Sequence, residues 1–178
     1  MIKAKTGSGK TLAYILPMVH TLRQQEPRIS RTDGTYGIVL APTRELGLQI
    51  FEVTQSLLQY TPWVVPCLLT GGEKKKSEKA RLRKGVSILV STPGRLLDHL
   101  ETTTAFNVRP LRWLVLDEAD RLLDMGFEKK LSLIMQTLKQ RDAEYTTAES
   151  FRRESRGEEP LTSSTPRRIQ NILISGLC

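Results

Sequence analysis

The stretch AKTGSGKT, residues 4–11, constrains the fold of this chain more than any other part of the sequence. Gly7 and Gly9 let the backbone curve so that successive N–H groups point into the loop, a geometry that cradles phosphate oxygens. An apolar helical pattern begins directly at Thr11, and the positive end of a helix dipole favours negative charge. We therefore expect a phosphate-binding loop between a strand and a helix, with only residues 1–3 left for that strand.

Short aliphatic runs alternate with stretches of helical periodicity along the rest of the chain. The predicted strands are 37–41, 64–70, 87–91, 112–118 and 169–175, and the predicted helices are 11–25, 43–59 and 127–140. Because near-continuous apolar strands must be buried on both faces, the alternation indicates a mainly parallel sheet covered by helices on either side. The expected fold is an α/β three-layer sandwich whose first strand is largely missing.

One stretch interrupts this pattern. Residues 141–168 are charged, rich in Ser and Thr and poor in aliphatic residues, which is the composition of a disordered insertion. The run IQNILIS then predicts one more strand. We therefore divide the chain into a domain at 1–140, an insertion at 141–168, and the final strand of the same domain within 169–178.

Charge and cysteine content limit the partners and the compartment of the chain. The net charge is +8, and the whole surplus lies in residues 1–90, much of it in residues 73–85. This asymmetry favours a polyanionic partner, although a solvated helix face explains residues 73–85 equally well. The two cysteines are far apart and lack neighbouring metal ligands, which indicates free thiols in a reducing intracellular compartment. No apolar run is long enough to predict a membrane span.

The run RWLVLDEAD, residues 112–120, ends an apolar strand in carboxylates. Asp117 follows the carboxyl end of this strand, which is the edge where open α/β sheets bind ligands. Lys10 would neutralise the β- and γ-phosphates of a nucleotide, and the Thr11 hydroxyl would ligate Mg²⁺, which Asp117 would hold through water. Glu118 would orient or deprotonate the attacking water. The sequence therefore predicts a nucleoside triphosphate site.

These segments resemble the DEAD-box ATP-dependent RNA helicases. Four segments match motifs of that family in the right order: PTRELGLQI (42–50, with Gly47 where alanine is usual), the pair Gly71 and Gly72, STPGRLLDHL (91–100) and DEADRLLDMGF (117–127). The resemblance implies a RecA-like P-loop fold with ATP and Mg²⁺ as cofactors. The residues that it implies for ATP binding are Thr6, Gly7, Ser8, Gly9, Lys10 and Thr11.

The resemblance also implies an RNA surface. RNA in this family is held mainly by its sugar–phosphate backbone, so backbone N–H groups, helix N-termini, hydroxyls and guanidiniums should contact it. The implied contact residues are Pro42, Thr43, Arg44, Gly71, Gly72, Thr92, Pro93, Gly94 and Arg95. All of them follow predicted strands, on the same edge as the nucleotide site. Asp120 and Ser175 are implied in coupling between two domains.

The departures from the family pattern lie at the two ends of the chain. The adenine-binding segment that precedes the phosphate loop in the family is missing here, and the Ser-Ala-Thr motif of the last strand is broken after Ser175. The resemblance implies a second RecA-like domain that supplies an arginine finger, and we expect both to be lacking from these residues. We therefore expect a first domain, incomplete at both ends, that binds nucleotide weakly and hydrolyses it very slowly.

Three functions stay open at this point. The favoured one is a fragment of an ATP-dependent RNA helicase. A non-catalytic RNA- or protein-binding module with little ATP turnover is the alternative, and a P-loop ATPase unrelated to RNA is disfavoured by PTREL and STPGR. Residues 71–85 also resemble the nucleolar branch of the family that is linked to assembly of the large ribosomal subunit. That similarity implies pre-ribosomal proteins as partners and a place in the nucleus, in the nucleolus.

Overall fold

The computed structural model of the chain describes residues 2–3, 9–156 and 169–175, within which strands and helices alternate. The strands are β1 (Ile2–Lys3), β2 (Gly37–Leu40), β3 (Pro66–Leu69), β4 (Ile88–Ser91), β5 (Trp113–Leu116) and β6 (Gln170–Ser175). The helices are α1 (Lys10–Gln24), α2 (Arg44–Leu58), α3 (Lys75–Lys84), α4 (Pro93–Thr102), α5 (Ala119–Asp124) and α6 (Glu128–Glu154). In this part of the chain, no helix combines the length and the apolar character needed to cross a membrane.

The strands form one sheet in the order β1-β6-β5-β2-β4-β3, and every neighbouring pair is parallel. Strand β2 lies between β4 and β5, with Leu40 opposite both Ser91 and Leu116. All four residues of β2 are buried, as expected for a strand covered on both faces. The predicted parallel α/β sandwich is confirmed, and the first strand is as short as expected, with two residues paired to β6.

The core consists of two apolar clusters, one on each face of the sheet. Because successive side chains of a strand point to opposite faces, Ile38 and Leu40 belong to one cluster and Val39 to the other. Helices α3, α4 and α6 cover the first face, and α1 and α2 cover the second, through Leu82, Leu96, Ile134, Ile15 and Ile50. Because all neighbouring strands are parallel, their carboxyl ends lie at the same edge of the sheet.

The prediction for residues 141–168 needs a correction. Helix α6 continues through Glu154, so the expected disordered insertion is wrong for the first half of that stretch. Arg141 donates from Nη1 to the carbonyl of Phe106 at 3.1 Å, which anchors this part of the helix to the loop after α4. A contact between residues so far apart in sequence leaves no trace in composition. Residues 157–168 lie outside the described part of the chain.

Candidate functional site

The segments that follow β2, β3, β4 and β5 lie side by side at one edge of the sheet. The backbone N–H of Asp117 donates to the Leu40 carbonyl at 2.9 Å, so the ends of β5 and β2 are joined. The N–H of Thr92 donates to the Leu69 carbonyl at 3.3 Å and joins the ends of β4 and β3. All four predicted motifs therefore share this edge, which we call the carboxyl edge.

Helix α1 begins at Lys10, directly after the loop. Gly9 is its N-cap and has φ 78°, a left-handed conformation that glycine adopts at no steric cost. Its carbonyl accepts the first helical hydrogen bond, from the N–H of Ala13 at 3.1 Å. Lys10 and Thr11 thus stand at the positive end of the helix, as predicted from the sequence. Thr6, Gly7 and Ser8 lie outside the described residues, and their roles stay predictions.

Asp117 is a buried carboxylate at this edge, with 3% of its surface exposed. Its Oδ2 accepts a hydrogen bond from the Tyr14 hydroxyl at 2.8 Å, and its Oδ1 accepts one from the N–H of Glu118 at 2.9 Å. Burial raises the pKa of Asp117 above its ordinary value, and these two hydrogen bonds and the charge of Lys10 offset that effect only in part. The hydrogen bond from Tyr14 joins α1, which begins at Lys10, to the end of β5, so the predicted lysine and aspartate lie at the same edge of the sheet.

Tyr14 is the site residue that sequence reasoning missed. It lies one helical turn after Thr11 on α1, so both side chains face the same way. Burial is the main reason that the pKa of Tyr14 is raised, followed by the negative charge of Asp117 and the hydrogen bond with its carboxylate, while the Thr11 side chain acts in the opposite direction. The sequence does contain one indication of this role, because Tyr14 places a polar hydroxyl on the otherwise apolar face of α1.

Glu118 stands between β5 and α5 in a strained backbone conformation. Its φ of 48° and ψ of 54° are left-handed, and no other non-glycine residue of the described segments has a positive φ. Its Oε2 accepts a hydrogen bond from Nη1 of Arg121 at 3.1 Å. Strain of this kind persists where the surroundings force it and is common at functional sites. Asp120 follows in the first turn of α5, half-buried at the same edge.

A pair of substitutions isolates the strain at Glu118. Both Glu118→Ala and Glu118→Gly remove the contact with Arg121, but only glycine relaxes the backbone. The left-handed conformation costs a residue with a Cβ about 1–2 kcal/mol, against roughly 0.5–1 kcal/mol for the greater freedom of unfolded glycine. We therefore expect Glu118→Gly to be more stable than Glu118→Ala by about 0.5–1 kcal/mol in urea unfolding. An alanine variant of equal or greater stability would show that the conformation is unstrained.

The predicted RNA residues after β2 and β3 contact each other. Arg44 donates from Nη2 to the Gly71 carbonyl at 2.7 Å. Gly72 has φ 88°, and a Cβ there would lie 1.8 Å from Nη2 of Arg44, so any other residue would displace the guanidinium. Thr43 caps α2 by accepting the N–H of Leu46 at 3.3 Å, and Pro42 before it is buried.

Gly47, the departure from the usual alanine, has a packing reason. A Cβ at this position would come within 2.8 Å of Cγ2 of Thr70, which is closer than real Cβ atoms approach. Thr70 directly precedes the glycine pair of the carboxyl edge. Glycine therefore lets α2 pack closely on the end of β3.

The segment after β4 is held more firmly than the sequence indicated. Thr92 is the N-cap of α4, and Pro93 is buried in its first turn with Gly94 next to it. Arg95 donates from Nε to Oε2 of Glu78 at 2.7 Å. Its guanidinium is therefore paired within the protein, at the surface where RNA contact was predicted.

Glu78 is the centre of a buried polar network that sequence reasoning also missed. It lies on α3 with 1% of its surface exposed, and its Oε2 is 2.9 Å from Nε2 of the fully buried His99. Nδ1 of His99 is in turn 3.0 Å from Oγ1 of Thr103. Within the basic run 73–85, this one acidic side chain thus points inward and fixes α3 to α4.

Ser175 ends β6 beside β1, at the same edge of the sheet. It is fully buried, and its Oγ has no hydrogen-bond partner among the residues that the structure describes. The structure therefore brings Lys10, Thr11, Asp117 and Glu118 to one edge with the predicted coupling and RNA residues.

Comparison with known proteins agrees with this arrangement. A family model described as DEAD/DEAH box helicase matches residues 1–173. The human ATP-dependent DNA helicase DDX31 is 57% identical over 135 residues, which cover 76% of this chain and 16% of that protein. The ATP-dependent RNA helicase DBP7 of Candida albicans is 51% identical over 151 residues, which cover 84% of this chain and 21% of that protein.

Solved structures share the fold. The structure of the yeast DEAD-box splicing factor Prp28 superposes with a TM-score of 0.75 at 30% identity, covering 98% of this chain and 36% of that one. The chain thus spans about a fifth of the relatives that it matches in sequence. Since the family model spans nearly all of its residues, the chain belongs to the DEAD/DEAH box helicase family.

Proposed function

We propose that the chain is the first RecA-like domain of an ATP-dependent RNA helicase, and that its carboxyl edge binds ATP with Mg²⁺ and the backbone of RNA. One observation carries the proposal. Tyr14 of α1, the helix that begins at Lys10, donates to the carboxylate of Asp117 at 2.8 Å, so the start of α1 and the end of β5 meet although they come from opposite parts of the sequence. Nucleotide hydrolysis and duplex unwinding are proposed for the longer protein, because the chain spans a minor part of its relatives.

The donor set at this edge suits Mg²⁺. Thr11 offers a hydroxyl and Asp117 a carboxylate, and both are the oxygen ligands that hard cations prefer. No group of three or more His, Cys, Asp or Glu side chains gathers in the described segments, so the residues present do not form an all-protein cage. Mg²⁺ is usually held by one or two carboxylates, several waters and the substrate phosphates. When bound, the ion neutralises charge on the phosphates.

Each residue of the proposed nucleotide site would have its own role. Lys10 and the N-terminus of α1 attract the phosphates, and the buried carboxylate of Asp117 offers a fixed negative charge. Glu118, which follows it, would orient or deprotonate water, as expected for a general base within reach of the phosphates. Asp120 and Ser175, at the same edge, would couple nucleotide binding and hydrolysis to a second RecA-like domain.

The RNA part of the proposal rests on the neighbouring segments. Arg44 and the pair Gly71 and Gly72 form a contiguous surface, and glycine lets a nucleic acid backbone approach closely. The start of α4 at Thr92 adds a second helix N-terminus beside it, which favours phosphate. Contacts of these types are independent of base sequence.

ATP turnover by the longer protein that contains this chain, measured with and without single-stranded RNA, tests the proposal. RNA-stimulated turnover that is lost in Lys10→Ala is the expected result. RNA binding without turnover would instead support a non-catalytic module, and turnover indifferent to RNA would support a P-loop ATPase of another kind. Single-stranded DNA of the same sequence belongs in the assay, since one relative is named a DNA helicase. RNA and DNA differ here in the 2′-hydroxyl, which a backbone-binding surface can contact.

The cellular part of the proposal is ribosome assembly. It rests on the similarity of residues 71–85 to the nucleolar branch of the family, and it includes pre-ribosomal proteins as partners in the nucleolus. Purification of the tagged protein from nuclear extract should recover precursors of the large ribosomal subunit. Recovery of splicing complexes alone would contradict it.

A further inference from the structure

We propose that Tyr14 is a positioning residue for the metal site, because its hydroxyl, held on α1, fixes the carboxylate of Asp117. The inference deepens the proposed function and rests on it, since Thr11 and Asp117 are the residues proposed to hold Mg²⁺. It assigns a role to a residue outside both the phosphate loop and the acidic motif.

The carboxylate of Asp117 is held at both oxygens. Tyr14 donates to Oδ2 at 2.8 Å from α1, and the N–H of Glu118 donates to Oδ1 at 2.9 Å from the turn after β5. Rotation of the carboxyl group would break at least one of these bonds inside a buried site, where an unmade hydrogen bond is costly. The lone pairs of the Asp117 carboxylate that are not used in these two bonds therefore point in a fixed direction.

The Tyr14 hydroxyl is itself held in place. Tyr14 is 2% exposed, and its ring packs in the core cluster that includes Val39, Val115 and Ile174. A buried aromatic ring has few rotamers available, so its hydroxyl occupies a defined position. Tyr14 thereby connects α1, which follows the phosphate loop, directly to β5, which carries the acid.

Helical spacing places Thr11 next to Tyr14. Thr11 lies three residues before Tyr14, and side chains three positions apart are neighbours on the surface of a helix. Tyr14 therefore contacts one residue proposed as a metal ligand, Asp117, and lies beside the other. Partners of this kind orient the ligands, and their mutation typically costs about 10–100-fold in metal affinity.

Tyr14→Phe tests the proposal, because it removes the hydroxyl and leaves the ring in the core. The probe is a fluorescent ATP analogue, whose binding to the 178-residue chain is measured in EDTA and over a Mg²⁺ titration. We expect about a 10-fold loss of apparent Mg²⁺ affinity in the variant, with binding in EDTA unchanged. Thermal melting in EDTA verifies that the variant is folded.

The matched control is Tyr36→Phe. Tyr36 is also buried, at 4% exposure, and its hydroxyl contacts Asp33 at 3.4 Å, next to the opposite end of β2. A purely structural role of Tyr14 would lower the melting temperature without changing the Mg²⁺ titration, as in the control, and would overturn the inference. A wild-type chain that binds the analogue equally well in EDTA and Mg²⁺ would overturn the proposed function itself.

Discussion

Asp117→Asn is expected to reduce the gain in ATP affinity that Mg²⁺ provides by about 100-fold, the upper end of the losses seen on mutation around metal sites. The carboxylate of Asp117 is the buried acidic group of this edge that we propose to hold the metal with Thr11, and asparagine lacks its charge. The amide oxygen and nitrogen of the asparagine can still form hydrogen bonds with Tyr14 and Glu118, so the fold should persist. Titration of Mg²⁺ at fixed ATP analogue measures the effect. Unaltered Mg²⁺ dependence would place the ion elsewhere.

The same substitution should raise stability at neutral pH. Burial raises the pKa of Asp117 in the folded state. The stabilisation of the fold by protonated Asp117 is therefore fully present below its unfolded pKa of about 4 and is lost as the pH rises through its folded pKa. Asparagine, which stays neutral, avoids that loss. The stability advantage of Asp117→Asn should therefore be greatest at pH 7 and shrink towards pH 4. A variant less stable than the wild type at pH 7 contradicts this.

Glu78→Ala is expected to destabilise the fold by about 3 kcal/mol. Glu78 is buried between α3 and α4, where it accepts hydrogen bonds from Arg95 and faces His99. Its removal leaves Nε2 of the buried His99 without its partner and the Arg95 guanidinium with Asp98 at 3.5 Å, which costs more than the pair itself contributes. Urea unfolding measures the loss, and the slope of the transition should stay unchanged.

Glu73→Ala is the matched control for Glu78→Ala. Glu73 also pairs with an arginine, Arg81 at 2.8 Å, but 53% of the Glu73 side chain is exposed. Exposed pairs contribute about 0–1 kcal/mol, so the control should change stability little. A similar small effect for both variants would mean that water reaches Glu78 and that its network does not hold α3 in place.

The sheet and the carboxyl edge could be predicted from the sequence because each rests on local patterns. Apolar runs such as 37–41 identify buried strands, and polar residues directly after them must lie at one edge of a parallel sheet. The contacts that hold the edge together could not be predicted in this way. Tyr14 and Asp117 are 103 positions apart, and nothing local to either residue shows that they meet.

The basic run and the long helix show the same limit. The charged composition of residues 73–85 is typical of a solvated helix face. Glu78 nevertheless points inward, because it pairs with a histidine and an arginine of α4. The polar composition after residue 140 favoured disorder, yet Arg141 anchors α6 through a backbone carbonyl. In both cases, long-range partners decide the outcome, and composition does not record them.

A crystal structure of the chain with Mg²⁺ and a non-hydrolysable ATP analogue tests the central claim most directly. We expect the phosphates at the N-terminus of α1 next to Lys10, with the metal on the side of Thr11 and Asp117. An analogue bound away from the carboxyl edge, with Lys10 and Asp117 both untouched, would contradict the claim that these residues form one nucleotide site.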